Sequence, residues 1–133
     1  MKVYISGPIT GTTDYMERFA QIERRLMRSG HTVINPAKVN ANLPADTTHA
    51  EYMEMSFTML DMCDAILMMN GWQQSRGAGM EFDRAVRNGM TIAFEGGREC
   101  QNESQSKQKR ENLLQKLVRR YFSETKPSAY SVR

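Results

Sequence analysis

Two short stretches hold the residue types that chemistry on a phosphorylated ligand requires. The first is "YISGPITG", positions 4–11, where Gly7 and Gly11 let the backbone approach a ligand closely. The hydroxyls of Ser6 and Thr10 in the same stretch can donate hydrogen bonds. No Gly-Lys-Ser/Thr follows, so this is not a Walker loop, and the full dinucleotide fingerprint is missing. Its plain alternative is a tight strand-to-helix turn. The second stretch is "GWQQSRGAGMEFDRA", Gly71 to Ala85, in which Ser75, Gly77 and Gly79 alternate up to Glu81. Backbone amides at a helix start carry partial positive charge and suit an anion. Glu81, read as lying in the first helical turn, would reach past such an anion towards a sugar. Its alternative use is to complement the helix dipole.

Other side chains offer less. Trp72 can stack on a base, since any ring offers a face, or it can cover the sheet edge. Eleven methionines suit core filling as well as an adaptable apolar pocket. His31 opens a strand and His49 starts a helix, with no Cys or second His at ligand spacing. Neither has a serine or cysteine partner for a nucleophilic triad. No metal and no cofactor are expected.

The elements that would position these groups can be read from periodicity. "KVYIS" is a short β-branched and apolar run closed by Gly7-Pro8, a strand and turn. Tyr15, Phe19, Ile22 and Leu26 then form a helical stripe, with Asp14 and Glu17 as a capping box and Gly30 as the stop. "HTVINP" reads as a second strand closed by Pro36, followed by loop from Ala37 to Thr48. A second helix is expected from Thr48 to Cys63, and "DAILMM" is a third, fully apolar strand. The glycine-containing stretch follows as loop and then helix to Asn88-Gly89, and "MTIAFE" is the fourth strand. The alternation predicts an α/β, Rossmann-like three-layer domain, with a parallel sheet of about four or five strands and a C-terminal helix. In such folds ligands sit beyond the carboxyl ends of the strands.

The chain has 133 residues, enough for one domain with a modest core. Residues 1–95 hold 9 Lys/Arg against 11 Asp/Glu, and residues 96–133 hold 9 against 4, so the basic excess sits in the tail. Residues 96–109 read as a polar connector. Residues 110–133 read as a basic amphipathic helix and tail, its apolar stripe running from Leu113 to Phe122. That stripe leans towards an oligomer contact, and the basic face is solvated rather than a nucleic-acid site. A nucleic-acid reading through 107–120 would predict affinity falling steeply with salt. No apolar run approaches a membrane span or a signal peptide. Cys63 and Cys100 make no disulfide framework, so a reducing cytoplasm is the expected location.

Taken together, "KVYISGPITG", "RSGHTVINPA", "MCDAILMMNGW" and "SRGAGMEFDRA" resemble the nucleoside 2-deoxyribosyltransferase superfamily over most of residues 1–95. Within it the chain is similar to the DUF4406-type branch, found in bacteria and their phages. The resemblance implies that Glu81 is the nucleophile that attacks the anomeric carbon and that Tyr4 positions it. It implies 5'-phosphate contacts at Ser75 and Gly77, and a nucleotide-facing loop at Gly7, Pro8 and Ile9. Thr10 stands where relatives can carry an arginine for the phosphate, and Arg76 is a replacement for that charge.

One departure concerns the general acid. Relatives that hydrolyse nucleoside monophosphates carry a second carboxylate eight residues before the aspartate that opens the third strand. Here that aspartate is Asp64 and the matching residue is Ser56. Glu54, Asp61 or Asp64 would have to supply the proton, and Asp64 is alternatively a cap on the strand entry. The expected activity is an N-glycosidase acting on a (deoxy)nucleoside 5'-monophosphate, in a homodimer or higher homo-oligomer. The alternative is a catalytically silent protein that binds or sequesters a nucleotide.

Overall fold

The computed structural model describes residues 1–97, of which Met1–Gly96 form one compact unit. Beyond Gly97, the expected connector, the basic helix and its oligomer-forming stripe lie outside the described residues.

Four parallel strands, β1 (Lys2–Ser6), β2 (Thr32–Ile34), β3 (Ala65–Met68) and β4 (Thr91–Phe94), lie in the order β2-β1-β3-β4. Tyr4 stands in register with Ile34 on one side and Ile66 on the other. The chain winds outwards from β1 to β2, then recrosses to place β3 on the far side of β1. That reversal between β1 and β3 opens a crevice at their carboxyl ends, where α/β sheets hold ligands.

Four helices cover the sheet: α1 (Tyr15–Arg28), α2 (Pro36–Asn40), α3 (His49–Asp61) and α4 (Arg76–Arg87). Side chains along a strand alternate between its faces. Ile5 therefore packs with Phe19 and Ile22 of α1, Ala37 of α2 and Met69, while Leu67 joins from β3. Tyr4 and Ser6 point the opposite way and meet Glu81 of α4. Both faces of the sheet are covered, which is why "AILM" of β3 is apolar throughout.

Local signals set most boundaries. The Thr48 hydroxyl accepts from the Glu51 amide at 3.2 Å and starts α3. Ser75 does the same for Ala78 at 3.3 Å and starts α4. Gly30 ends α1 with φ of 86°, a conformation that favours glycine.

Three local expectations are corrected. Asp14 makes no side-chain cap, because its backbone (φ −108°, ψ 12°) is not the extended one that aims a cap at the helix amides. Glu17 instead pairs with Arg24 at 3.0 Å on the exposed face. The stretch expected to be loop from Ala37 begins with α2, since Pro36 opens a helix rather than merely closing a strand. Asn35 caps it, accepting from the Lys38 amide at 3.3 Å. Finally, Gly77 and Gly79 belong to α4 itself, preceded by a short 3-10 turn at Trp72–Gln74.

The crevice depends on close packing below it. A Cβ on Gly7 would lie 2.7 Å from both Cβ and Sδ of Met69. Gly7→Ala is expected to destabilise the domain by roughly 1–3 kcal/mol, read as a lower urea midpoint. An unchanged midpoint would show that Met69 moves aside without cost.

Candidate active site

Glu81 is the sixth residue of α4, not a first-turn residue, so it does not serve the helix dipole. Helical side chains tilt towards the helix start, and the sheet lies beneath this face of α4. Only 7% of Glu81 is exposed, and no cation pairs with it among the described residues. The Tyr4 hydroxyl donates to Oε2, and the Ser6 hydroxyl donates to Oε1 at 3.0 Å. Burial pushes its pKa up to about 7, against the pull of those two hydrogen bonds. Burial, followed by the nearby Glu81 charge, raises Tyr4 well above the ordinary tyrosine value. A buried carboxylate without a cation costs stability, which makes Glu81 a candidate functional residue.

Glu81 and Tyr4 border a cavity of about 1010 Å³, roomy enough for a nucleotide. One wall is the β1–α1 loop, with Gly7, Pro8, Ile9 and Thr10, followed by Tyr15 and Arg18 of α1. The opposite wall is α3, whose His49, Tyr52, Met53 and Ser56 share one helical face. Asn70, Gly71 and Gln74 lead to Ser75, Arg76 and Gly77 at the start of α4. The Arg76 and Gly77 amides have no backbone acceptor among the described residues, the usual state of the first helical positions. Gly77 also lets α3 come close, since a Cβ there would meet Met53 Sδ at 3.3 Å and His49 Nε2 at 4.0 Å.

Residues 1–94 hold every group just described, and they match the family described as "Domain of unknown function (DUF4406)". The chain belongs to that family. No curated protein matches it. Among solved structures it is similar to a 2-deoxyribosyltransferase from the psychrotolerant bacterium Bacillus psychrosaccharolyticus, at 14% identity and a TM-score of 0.58. The match covers 71% of each chain, and at that identity it shows a shared fold.

The DUF4406 domain gathers most of the site residues legible in the sequence: Tyr4, Gly7, Pro8, Ile9, Thr10, Ser75, Arg76, Gly77 and Glu81 line the cavity. Ser6 holds Glu81 from beneath. Three others do not take part. The Asp64 carboxylate accepts from the Lys2 amide at 2.9 Å, at the amino end of the sheet, away from the crevice. Trp72 is buried against Phe82 at 4.6 Å and Phe94 at 6.3 Å, so its face is not offered to a base. Gly79 lies in the first turn of α4, its amide bonded to the Ser75 carbonyl, and is not part of the cavity wall.

The two remaining stand-ins for the acid also lie elsewhere. Glu54 is exposed outside the cavity, and Asp61 forms a two-point pair with Arg84 at 2.8 and 2.6 Å. Glu81 is therefore the only carboxylate lining the cavity among the described residues. Arg18 and Tyr52 line it without having been singled out in the sequence, and so does His49, which the sequence offered only as an unsupported metal ligand or triad member. Arg18 donates to the Asn70 carbonyl at 3.2 Å and forms no ion pair among the described residues. The available signal was the i, i+3, i+4, i+7 spacing of His49, Tyr52, Met53 and Ser56.

Among the described residues, no group of three His, Cys, Asp or Glu stands together as a metal site. No described helix is long and apolar enough to cross a membrane.

Proposed function

We propose that this DUF4406 domain cleaves the base–sugar bond of a (deoxy)nucleoside 5'-monophosphate, with Glu81 adding to C1' of the sugar. The carrying observation is a buried carboxylate, unpaired with any cation among the described residues, at the edge of a nucleotide-sized cavity. Free amides at the start of α4, with Arg76 beside them, suit the 5'-phosphate. Positive charge develops at C1' as the base departs, and the Glu81 carboxylate opposes it. Covalent capture then gives a glycosyl ester and divides one difficult step into two. Water attacking C1' would release the sugar phosphate, and a second base would give transfer. The solved 2-deoxyribosyltransferase of the same fold supports this reading as an analogy.

The direct test incubates the protein with each common ribo- and deoxyribonucleoside 5'-monophosphate, and with the parent nucleosides, then follows free base by chromatography. Base release is expected from a monophosphate roughly 10-fold or more faster than from its nucleoside. That ratio is what charge-assisted hydrogen bonds to the phosphate provide. Release from nucleosides at equal rates would remove the phosphate from the proposal.

Ser56 favours a second reading, in which the domain binds a nucleotide and does not turn it over. Nucleotide-dependent thermal stabilisation with no base released from any candidate would select it.

A further inference from the structure

The cavity is bordered by two opposite charges that are fixed in place without pairing. Glu81 is one, gripped by the hydroxyls of Tyr4 and Ser6. The other is Arg18, in the first turn of α1 and partly buried. Its Nη2 donates to the Asn70 carbonyl at 3.2 Å. Asn70 is itself fixed, since its amide donates to Glu95 Oε2 at 2.8 Å. The preceding Met69 amide donates to the Ser6 carbonyl, also at 2.8 Å. The guanidinium is thereby tied to the carboxyl end of β3, next to the end of β1 where Ser6 holds Glu81. Neither Glu81 nor Glu95 forms an ion pair with it.

A guanidinium presents five N–H donors in a planar fork that matches a phosphate. One is spent on Asn70, and no carboxylate among the described residues takes the others. Arg76 is less prepared: it is exposed, and no hydrogen bond or ion pair among the described residues holds its side chain. A cation already held in place loses less freedom when its ligand arrives. A nucleotide complements both fixed charges, with C1' turning positive at Glu81 and the 5'-phosphate negative throughout. The chain also brings the amide contacts to the same end of the cavity. The Gln74 amide donates to the Gly71 carbonyl at 3.2 Å and the Ser75 amide to the Trp72 carbonyl at 3.0 Å. One tight turn therefore separates the anchor of Arg18 from the free amides of Arg76 and Gly77.

Resting on the nucleotide ligand of the glycosidase reading, we propose that Arg18 is the specificity residue for the 5'-phosphate. Its fork takes one edge of the phosphate while the amides at the start of α4 take another, and this selects nucleotides over nucleosides.

The test uses the 2'-deoxynucleoside 5'-monophosphate that the wild type cleaves fastest or, failing cleavage, binds most tightly, together with its parent nucleoside. Base release and calorimetric binding are measured for wild type and Arg18→Gln. Glutamine keeps a donor for the Asn70 carbonyl and removes the charge. KM for the monophosphate is expected to rise roughly 10- to 100-fold, the worth of hydrogen bonds between charged groups, with kcat little changed. The preference for monophosphate over nucleoside should fall by the same factor. Arg18→Lys, which keeps the charge without the fork, should recover part of it.

A loss shared equally by monophosphate and nucleoside would make Arg18 a brace between α1 and β3 and overturn the assignment. An unchanged preference would overturn it too, as would a larger fall in preference from Arg76→Gln or from His49→Gln, His49 being the side chain beside Gly77. Each of these outcomes leaves the glycosidase reading intact. A wild type that binds the monophosphate and releases no base sinks that reading alone, and the ratio of Kd values then decides on Arg18 by the same criteria. A wild type that binds monophosphate no better than nucleoside removes the phosphate and Arg18 together.

Discussion

Replacing Glu81 with glutamine is expected to cut base release by roughly 10⁴-fold or more, with nucleotide binding retained. The amide keeps the shape of the side chain and can still meet Tyr4 and Ser6, but it cannot form the ester. A glycosyl adduct on Glu81, sought by mass spectrometry of the wild-type protein during turnover, should be absent from the variant. Activity surviving Glu81→Gln would sink the covalent mechanism.

The same substitution carries a stability signature whose sign follows from the pKa. Glu81 rises from 4.5 to about 7 on folding. Below 4.5 both folded and unfolded chains hold the proton, and burial of the neutral acid carries no ionisation penalty. As pH rises, the unfolded chain ionises first, so stability drains away until the folded carboxyl also ionises near 7. The loss is about 3 kcal/mol. Glutamine does not titrate, so urea midpoints of wild type and Glu81→Gln should diverge between pH 4.5 and 8, the variant being the more stable at pH 8. Parallel midpoints across that range would mean that the carboxyl is not buried as described.

The second large effect is a gain. Ser56→Asp is expected to raise turnover of an ordinary nucleotide by roughly 10²-fold. Position 56 is buried and lines the same cavity as Tyr4 and Glu81, so the new carboxyl would share that space with Glu81. Two neighbouring carboxylates resist ionising together, and one proton stays on the pair at neutral pH. That proton could then be donated directly to the departing base. Turnover of a 2'-deoxynucleoside 5'-monophosphate under saturating conditions measures the gain. A variant that binds nucleotide yet gains nothing would show that position 56 does not face the departing base. A silent wild type with an active Ser56→Asp would instead identify a decayed enzyme, the second reading above.

Much of the fold was legible because its signals are local. Runs such as "KVYIS" and "AILM" alternate with helical stripes, and Thr48, Ser75 and Gly30 act on amides or turns only a few residues away. Pro36 was misread because a proline ends a strand and opens a helix equally well, and only the Asn35 cap distinguishes the two. Trp72 looked available for stacking because nothing in "NGWQQ" reveals that Phe82 and Phe94 lie within reach. Asp64 was a candidate acid until the strand direction placed it at the amino edge, against the Lys2 amide. Arg18 was passed over, and His49 was set aside as a metal ligand or triad member, for the converse reason. Each is an ordinary polar helix residue until its helix is set beside the crevice.

By itself the sequence determined the succession of the four strands and the three longer helices, the parallel sheet they imply, and a shortlist that contained Tyr4, Ser6, Ser75, Gly77 and Glu81. Tertiary structure alone decided that Glu81 is buried, that Tyr4 and Ser6 grip its two oxygens from 77 and 75 residues away, and that Ser56 lines the same cavity. Secondary structure depends on spacings of two to four residues, which a chain displays along its length. Burial and hydrogen bonding of a side chain depend on what folding carries alongside it, and here that comes from the opposite end of the domain.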